Sequence, residues 1–500
     1  MGDLCRHFDV CIVGAGPGGL AALSSIKEPY SVDRLGRDQV NRAFRAKPPK
    51  QLSVCVVDPQ PWLSAWRARF ASLGIKWLRS PAMAHPDSFD AWSLVEFAHK
   101  QGRGAELFPT DPENLKSIKS LASIEAGLFH VPSTELFLDF CDALVEKLPH
   151  TFISQKAVSM NGSDGNFAVE LEDGTTIDAK MLVLALGVPG PPVVPAAFKG
   201  LPEEVVFHAY DGKRLSELQK GRRVLVIGGG LTAAQAALHA IRKNCKVTLC
   251  SRRPLTTRSF DIPVEWFDHR SQGRLRHNFW QQSAEERLKL LRATKGGGSV
   301  PPWYMQQLRA AETAGKLQML CGEASECSYS AGLLELKLTG ECKHFHHVIL
   351  ACGHQPDCTW LPMLRALHEQ CPVPLVGGLP QVSKDLQWGA HQQLYLVGAL
   401  AALQAGPDAG NLMGCRQAAE TVAQSIGLRC WQRSSKGGED SSTSIRGNRY
   451  AALDDSTDSD SDESDSGTES AAEEESNEES RLSWESLGEH GKTSAGSLTQ

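Results

Sequence analysis

Two glycine-rich stretches carry the first chemical signal. Gly14-Ala-Gly16-Pro-Gly-Gly19 follows an apolar run at 8–13 and opens a helical pattern. In such a strand-to-helix turn the first glycine permits the bend and the second lets the backbone approach a pyrophosphate. The third lets the helix pack close to the strand. The helix N-terminus then presents unpaired N–H groups to the phosphates. Asp58, 44 residues past Gly14, ends the next strand-like run, where a carboxylate accepts hydrogen bonds from ribose hydroxyls. The second stretch, Gly228-Gly-Gly230 in "RRVLVIGGGLTAA", has Ala233 at the third glycine's place. Its next run ends in Arg252 and Arg253, 24 and 25 residues past Gly228. Guanidinium groups there suit a ribose 2′-phosphate, through forked, charge-assisted hydrogen bonds.

One turn answered by an acid and another answered by arginines imply two dinucleotides. The first turn fits FAD and the second fits NADPH, so the chain is expected to bring a hydride donor to a flavin. The surrounding elements repeat one grammar. A strand at 8–16 and a helix at 17–27 are followed by a strand at 52–59. The polar, mostly basic segment 28–50 between them reads as a surface insertion, which explains the late Asp58. A helix is expected at 133–148, with a Ser or Thr N-cap. "FAVELEDGTTID" (167–178) alternates around Asp-Gly, as hairpins do. The same order recurs as strand 222–228, helix 230–243, strand 245–251, helical stretches within 284–314 and strands within 318–340. "AKMLVLALG" (179–187) and "FHHVILACG" (345–353) are matching buried strands that end in Ala-x-Gly. A last helix is expected at about 411–426. The fold class is therefore α/β, with two Rossmann-like domains, the NADPH domain inserted in the FAD domain. The expected boundaries are 1–215 and 344–432 for the FAD domain, 216–343 for the NADPH domain, and 433–500 for a tail.

Composition narrows the function classes. The 500 residues carry a net charge of −6, but 451–480 alone hold 13 acidic side chains and no Lys or Arg. The first 450 residues are thus mildly basic, at about +7, which suits anionic cofactors. The basic residues are too few and too scattered to argue for nucleic acid. No run of 18 apolar residues exists, and the most apolar stretch, 181–197, is broken by Pro189, Pro191, Pro192 and Pro195. No membrane span or signal peptide is expected. Fourteen cysteines contain no C-x-x-C. Cys245 and Cys250 lie five apart on a strand pattern and would face opposite ways. Reduced thiols and a cytoplasmic location follow. The tail from about 435 has too little apolar surface to offset its chain entropy and is expected to be disordered. Its "DDSTDSDSDESDS" offers serines followed by acids, a possible phosphorylation tract, while a solvating role is the plainer reading.

Over roughly 8–428 the sequence resembles the two-dinucleotide-binding flavoproteins, and within them the class B flavin monooxygenases of the lysine/ornithine N-monooxygenase type. "WLSAWRARFASLGIKWLRSPAMAHPD" (62–87) stands where that group has its flavin-facing loop. "FKGLPEEVVFHAYD" (198–211) looks like a stretched form of its linker, with His208 as the linker histidine on the NADPH side. "LYLVGALAALQAGPDAGNLMGCRQAA" (394–419) is similar to its terminal flavin segment. The resemblance implies that Gly187 ends a flavin-side strand, that Gly398 lies by the ribityl chain and that Asn411 lies near the isoalloxazine. It also implies oxygen activation by reduced flavin and transfer of an oxygen atom to an N, S or carbonyl centre of a small-molecule substrate, with O2 as co-substrate. Two departures stand out. The linker has seven residues between Gly200 and His208 where the usual pattern has three, and His354 stands where many relatives have Tyr.

Other polar residues have plainer alternatives. Arg79, His85 and Asp87 share one Pro-bounded loop and are weak catalytic candidates, lining the flavin or the substrate entrance, or else ordinary loop caps. Trp62, Trp66 and Trp77 fit packing under that loop better than stacking on a flavin. His344, His346 and His347 would need further ligands to hold a metal, and an exposed edge strand explains them, so no metal is expected. Two further functions use the same turns: an NADPH-dependent flavin reductase (diaphorase) without oxygenation, and a regulatory binding protein on a flavoprotein fold. A disulfide reductase is disfavoured by the missing flavin-adjacent dithiol.

Overall fold

A computed structural model describes residues 7–46, 51–118, 127–187, 189–389, 391 and 393–436. Within it the first turn grows out of a seven-stranded sheet. Its strands run in the order Thr151–Ile153, Val54–Val57, His7–Val13, Thr176–Leu184, Asn166–Leu171 and Ala157–Ser163, with Leu394–Leu396 pairing the far half of Thr176–Leu184. The pairs around His7–Val13 are parallel, and the hairpin strands are antiparallel. Val54–Val57 is buried at every residue, as a parallel strand covered on both faces must be. Helix Pro17–Lys27, with proline in its first turn, buries Gly19 through Ile26. It packs against the sheet and the final helix Leu412–Lys436.

The second sheet is wholly parallel: Leu317–Cys321, Lys246–Ser251, Arg223–Ile227, His347–Leu350 and Val206–His208. Its helices Leu231–Arg242 and Pro302–Thr313 cover one face through Ala234, Ala237, Met305 and Leu308. A three-stranded antiparallel sheet, 324–345, covers the other through Leu334, Leu336 and Leu338. The architecture is thus α/β with two Rossmann-like units, the second inserted in the first.

Two expectations need correction and one gains detail. Strands Val206–His208 and His347–Leu350 hydrogen-bond into the second sheet, so that unit begins before 216 and ends after 343. The 28–50 insertion also has structure of its own. It forms helices Val32–Leu35 and Arg37–Ala46, buries Val40, and is tied down by Val32 N donating to Phe89 O (2.7 Å) and by Arg37 to Asp90 (2.9 Å). The last helix continues to Lys436 rather than ending near 426. The acidic tract beyond it, with its serines, lies outside the described residues. Among the described residues no helix is long and apolar enough to cross a membrane.

Candidate cofactor site

The first turn is sterically restricted to glycine at two points and open at a third. Gly14 has φ +112°, and a methyl group there would stand 2.5 Å from the Ala185 carbonyl oxygen. A methyl at Gly19 would overlap the Gly14 carbonyl oxygen. At Gly16 the backbone is extended, with φ −82°, and nothing lies within 4 Å of where a methyl would point. The mouth of the turn is therefore free for a bulky group at that glycine. Asp58 is half-buried at the end of its strand. Its Oδ2 accepts from Ala15 N and its Oδ1 from Gln60 N, each at 2.8 Å. These bonds hold the carboxylate beside the turn and leave lone pairs for further donors. Gly187 (φ +72°) opens to free space, and Gly398 (φ +90°) lies beside the Cys415 sulfur. Asn411 caps the final helix, its Oδ1 accepting from Gly414 N at 3.1 Å, and its Nδ2 donates to Asp261 at 3.4 Å.

The second turn repeats this geometry. Gly228 has φ +151°, and a methyl there would stand 2.5 Å from the Ala351 carbonyl oxygen. Gly230 begins helix Leu231–Arg242 in extended conformation. Arg252 and Arg253 are exposed just past strand Lys246–Ser251. Arg253 donates to Gly296 O at 3.4 Å. Gly298, in the left-handed loop Gly296–Gly298, comes against the backbone of Gly230. His208 ends the outermost strand, opposite Leu350. Its Nδ1 accepts from Tyr210 N at 3.3 Å, so the ring proton sits on Nε2, which is buried with no protein partner. Burial, then His354 and Arg69, push its pKa down to about 4. An orphaned donor at the same end of the sheet as the second turn, two strands over, suits a bound polar ligand.

The model of the pyridine nucleotide-disulphide oxidoreductase family matches residues 8–272, both turns included. The chain belongs to that family. FAD and a pyridine nucleotide are the cofactors of these oxidoreductases. No curated protein sequence matches the chain. Among solved structures, an ornithine N-hydroxylase of Kutzneria sp. 744 is similar with a TM-score of 0.64 at 17% identity, covering 85% of this chain and 100% of that one. A cadaverine monooxygenase of Erwinia amylovora has a TM-score of 0.61 at 17% identity, covering 84% and 94%. An L-lysine 6-monooxygenase of Pseudomonas syringae has a TM-score of 0.60 at 18% identity, covering 84% and 99%. These likenesses are of fold.

In this oxidoreductase the loop candidates have structural work. Arg79 spends its guanidinium on the carbonyls of Arg258, Ser259, Phe260 and Ser299 and on the Ser299 hydroxyl, at 2.6 to 3.3 Å. It stitches the loop around 79–87 to residues 258–260 and 299. His85 is fully buried, with Nε2 against Ala91 O at 3.1 Å and its ring edge-on to Phe140. Asp87 accepts from Phe89 N at 2.9 Å. Trp62 pairs with His150, Trp66 with Phe137 and Trp77 with Phe108, so all three pack. Cys245 and Cys250 donate to different carbonyls, Gln219 and Gly322, as a strand pointing them apart requires. The described cysteines are all free.

Sequence reading missed a second junction. Arg276 donates to Asp408 at 2.6 Å and also to Ala405 O and Gln417. Asp408 is wholly buried, and burial raises its pKa despite the arginine. Next to it, a cavity of about 320 Å³ opens between Met83, Met413, Arg276 and Arg416. Nothing in the spacing of Arg276 and Asp408, 132 residues apart, announces the pair.

Proposed function

We propose that this oxidoreductase is an NADPH-dependent flavin monooxygenase acting on a small molecule in the cytoplasm. The observation that carries the reading is the pairing of two like turns with unlike neighbours. The first turn, through Gly14, Gly16 and Gly19, would hold the FAD pyrophosphate, and Asp58 the adenosine ribose. Gly187, Gly398 and Asn411 would line the flavin end. The second turn, through Gly228 and Gly230, would receive NADPH, with Arg252 and Arg253 on the 2′-phosphate. His208 would donate its free Nε2–H to the nucleotide. When bound and reduced, flavin activates O2 and delivers one oxygen atom to an N, S or carbonyl centre.

The chain's own part is to position these groups and exclude water. Arg79 fixes the flavin-side loop against the segment 258–260. The cavity beside Met83 and Met413 would admit the substrate, and its volume lies at the small-ligand end of the usual range. The Cys415 thiol, which packs beside Gly18 of the first turn, is pushed up to about 12 by burial and Asp408. A lone thiol is already in its reduced form and cannot take electrons from flavin without a second sulfur in a disulfide, which favours oxygen over a disulfide.

Three measurements test the reading. Purified protein should be yellow with FAD, and NADPH should bleach it without oxygen far faster than NADH does. In air, NADPH oxidation should be coupled to oxygenated product with the right substrate; amines are the first class to screen, because the similar folds are named for them. If every amine, thioether and ketone tried gives only hydrogen peroxide, the protein is a reductase. If no flavin binds, the binding-protein alternative stands.

A further inference from the structure

We propose a divalent-metal site of the zinc class on the outer face of the three-stranded sheet, formed by Glu335, Cys342 and His344. It is independent of the cofactor turns. The strand Leu333–Leu338 alternates strictly: Leu334, Leu336 and Leu338 are buried, while Glu335 and Lys337 are exposed. The neighbouring strand, Glu341–Phe345, has Cys342 and His344 two residues apart and both exposed. Residues two apart on a strand share a face. Antiparallel pairing sets His344 directly opposite Glu335 and Cys342 opposite Lys337. Side chains opposite one another across such a pair have Cβ atoms about 4.5–5.5 Å apart, so Glu335 meets His344 head-on and Cys342 on the diagonal.

The distances bear this out. The Cys342 thiol donates to Glu335 Oε1 at 2.9 Å, and His344 Nε2 lies 3.6 Å from Glu335 Oε2. One ligand atom from each residue falls within 4.8 Å of the other two. Ligands bound at about 2.0–2.3 Å in a tetrahedral zinc site stand roughly 3.3–3.8 Å from one another. The thiol and the imidazole approach different oxygens of Glu335, and small side-chain rotations bring one atom of each residue from within 4.8 Å to the corners such an ion needs. A thiolate, an imidazole and a carboxylate together select zinc-like ions over Mg2+ or Ca2+. The fourth corner faces solvent and takes water.

The surroundings do not oppose a cation. Lys337, the nearest positive group, is paired with Glu326 at 2.5 Å, and Lys343 with Glu341 at 3.1 Å. Binding displaces the Cys342 proton to solvent. On the inner face, the same sheet packs Leu334, Leu336 and Leu338 against Leu225, Val348 and Leu350. Leu225 belongs to the strand that leads into the second glycine turn, and Val348 and Leu350 to its parallel neighbour, which ends beside that turn at Ala351, so an ion clipping the two hairpin strands would stiffen the support of that turn.

The test uses full-length protein stripped of metal by a chelator and titrated calorimetrically with Zn2+. An excess of Mg2+ is kept present to occupy plain carboxylate sites, including the acidic tract. Wild type should show one Zn2+ site that Cys342→Ser and His344→Ala each weaken by at least about tenfold. Zn2+ should also slow alkylation of Cys342 by iodoacetamide, read by mass spectrometry. Cys321→Ser, at another exposed cysteine, should keep the site. Wild type that binds no Zn2+ under Mg2+, or variants that bind as wild type does, would overturn the proposal, as would unprotected Cys342.

Discussion

The two glycine turns share one frame and differ in three details. In both, a left-handed glycine presses on the carbonyl of an alanine at the end of a neighbouring strand: Gly14 on Ala185 and Gly228 on Ala351, each with 2.5 Å to a would-be methyl. In both, the helix starts from an extended glycine. The first difference is at the third position, Gly19 against Ala233. The Ala233 side chain already stands 3.1 Å from a methyl placed at Gly228, so the second helix sits slightly off its strand. The second difference is charge, Asp58 against Arg252 and Arg253. The third is access: Gly16 faces open space, whereas Gly298 rests on Gly230. A tight, open turn suits a cofactor that stays. A looser turn under a glycine loop suits one that comes and goes.

The strongest way to break this comparison is at the first turn. Gly19→Ala should destabilise by about 3 kcal/mol through overpacking, giving little soluble, flavin-free protein. Gly16→Val should be different, because space for the side chain exists. That variant should fold, melt near deflavinated wild type, and carry no FAD. Gly16→Val protein with full flavin would show that the pyrophosphate lies elsewhere.

Next in size is the charge difference. Replacing both Arg252 and Arg253 by Ala should cost NADPH about tenfold to hundredfold in kcat/KM for flavin reduction, since one charge-assisted bond is worth roughly 1.5–3 kcal/mol. NADH lacks the phosphate and should change little. FAD content should hold. Unchanged NADPH preference would move the phosphate contact off these arginines, and loss of FAD would exchange the assignment of the two turns.

The turns were readable because their chemistry is local. A strand, a glycine and a helix within a dozen residues leave few alternatives, and the alternation of 167–178 marked its hairpin in the same way. The unit boundaries were less readable. Val206–His208 is only three residues long, and what assigns it to the second sheet is hydrogen bonding to His347–Leu350, some 140 residues later. Arg79 reads as a weak site candidate because an arginine in a short Pro-bounded loop suits either a ligand or ordinary loop capping. Only the fold shows the carbonyls of 258–260 converging on it. The helices within 28–50 escaped notice because their anchors, Phe89 and Asp90, are remote in sequence.

The access difference makes a subtler prediction. Gly298 has φ +103°, and a methyl there would stand 3.1 Å from the Gly230 Cα. Gly298→Ala should weaken the covering position of the loop by about 1–2 kcal/mol of strain. If the covered turn competes with NADPH, KM for NADPH should fall severalfold while FAD content and kcat stay near wild type. A raised KM would mean instead that the loop grips the nucleotide.

The smallest effect concerns pH. His208 has its folded pKa pushed down to about 4 from an ordinary 6.5, chiefly by burial. Above pH 6.5 both folded and unfolded chains hold it neutral, and it leaves stability unchanged. As pH falls from 6.5 toward 4, the unfolded chain takes up a proton that the folded chain refuses, so stability drops through that window. The residue is only partly buried, so solvent screening reduces the effect to about 1 kcal/mol. His208→Gln removes the titration and should flatten the slope of stability against pH between 6.5 and 4, read by urea denaturation at several pH values. His354 is lowered by burial and by Arg69 as well, so some slope remains in the variant. Because His208 flanks the second turn and not the first, flavin content should be the same in both proteins across the window, while NADPH affinity at pH 7.5 should be lower in the variant. Equal slopes would mean that the imidazole is solvated, and with it the case for His208 as a nucleotide contact would fail.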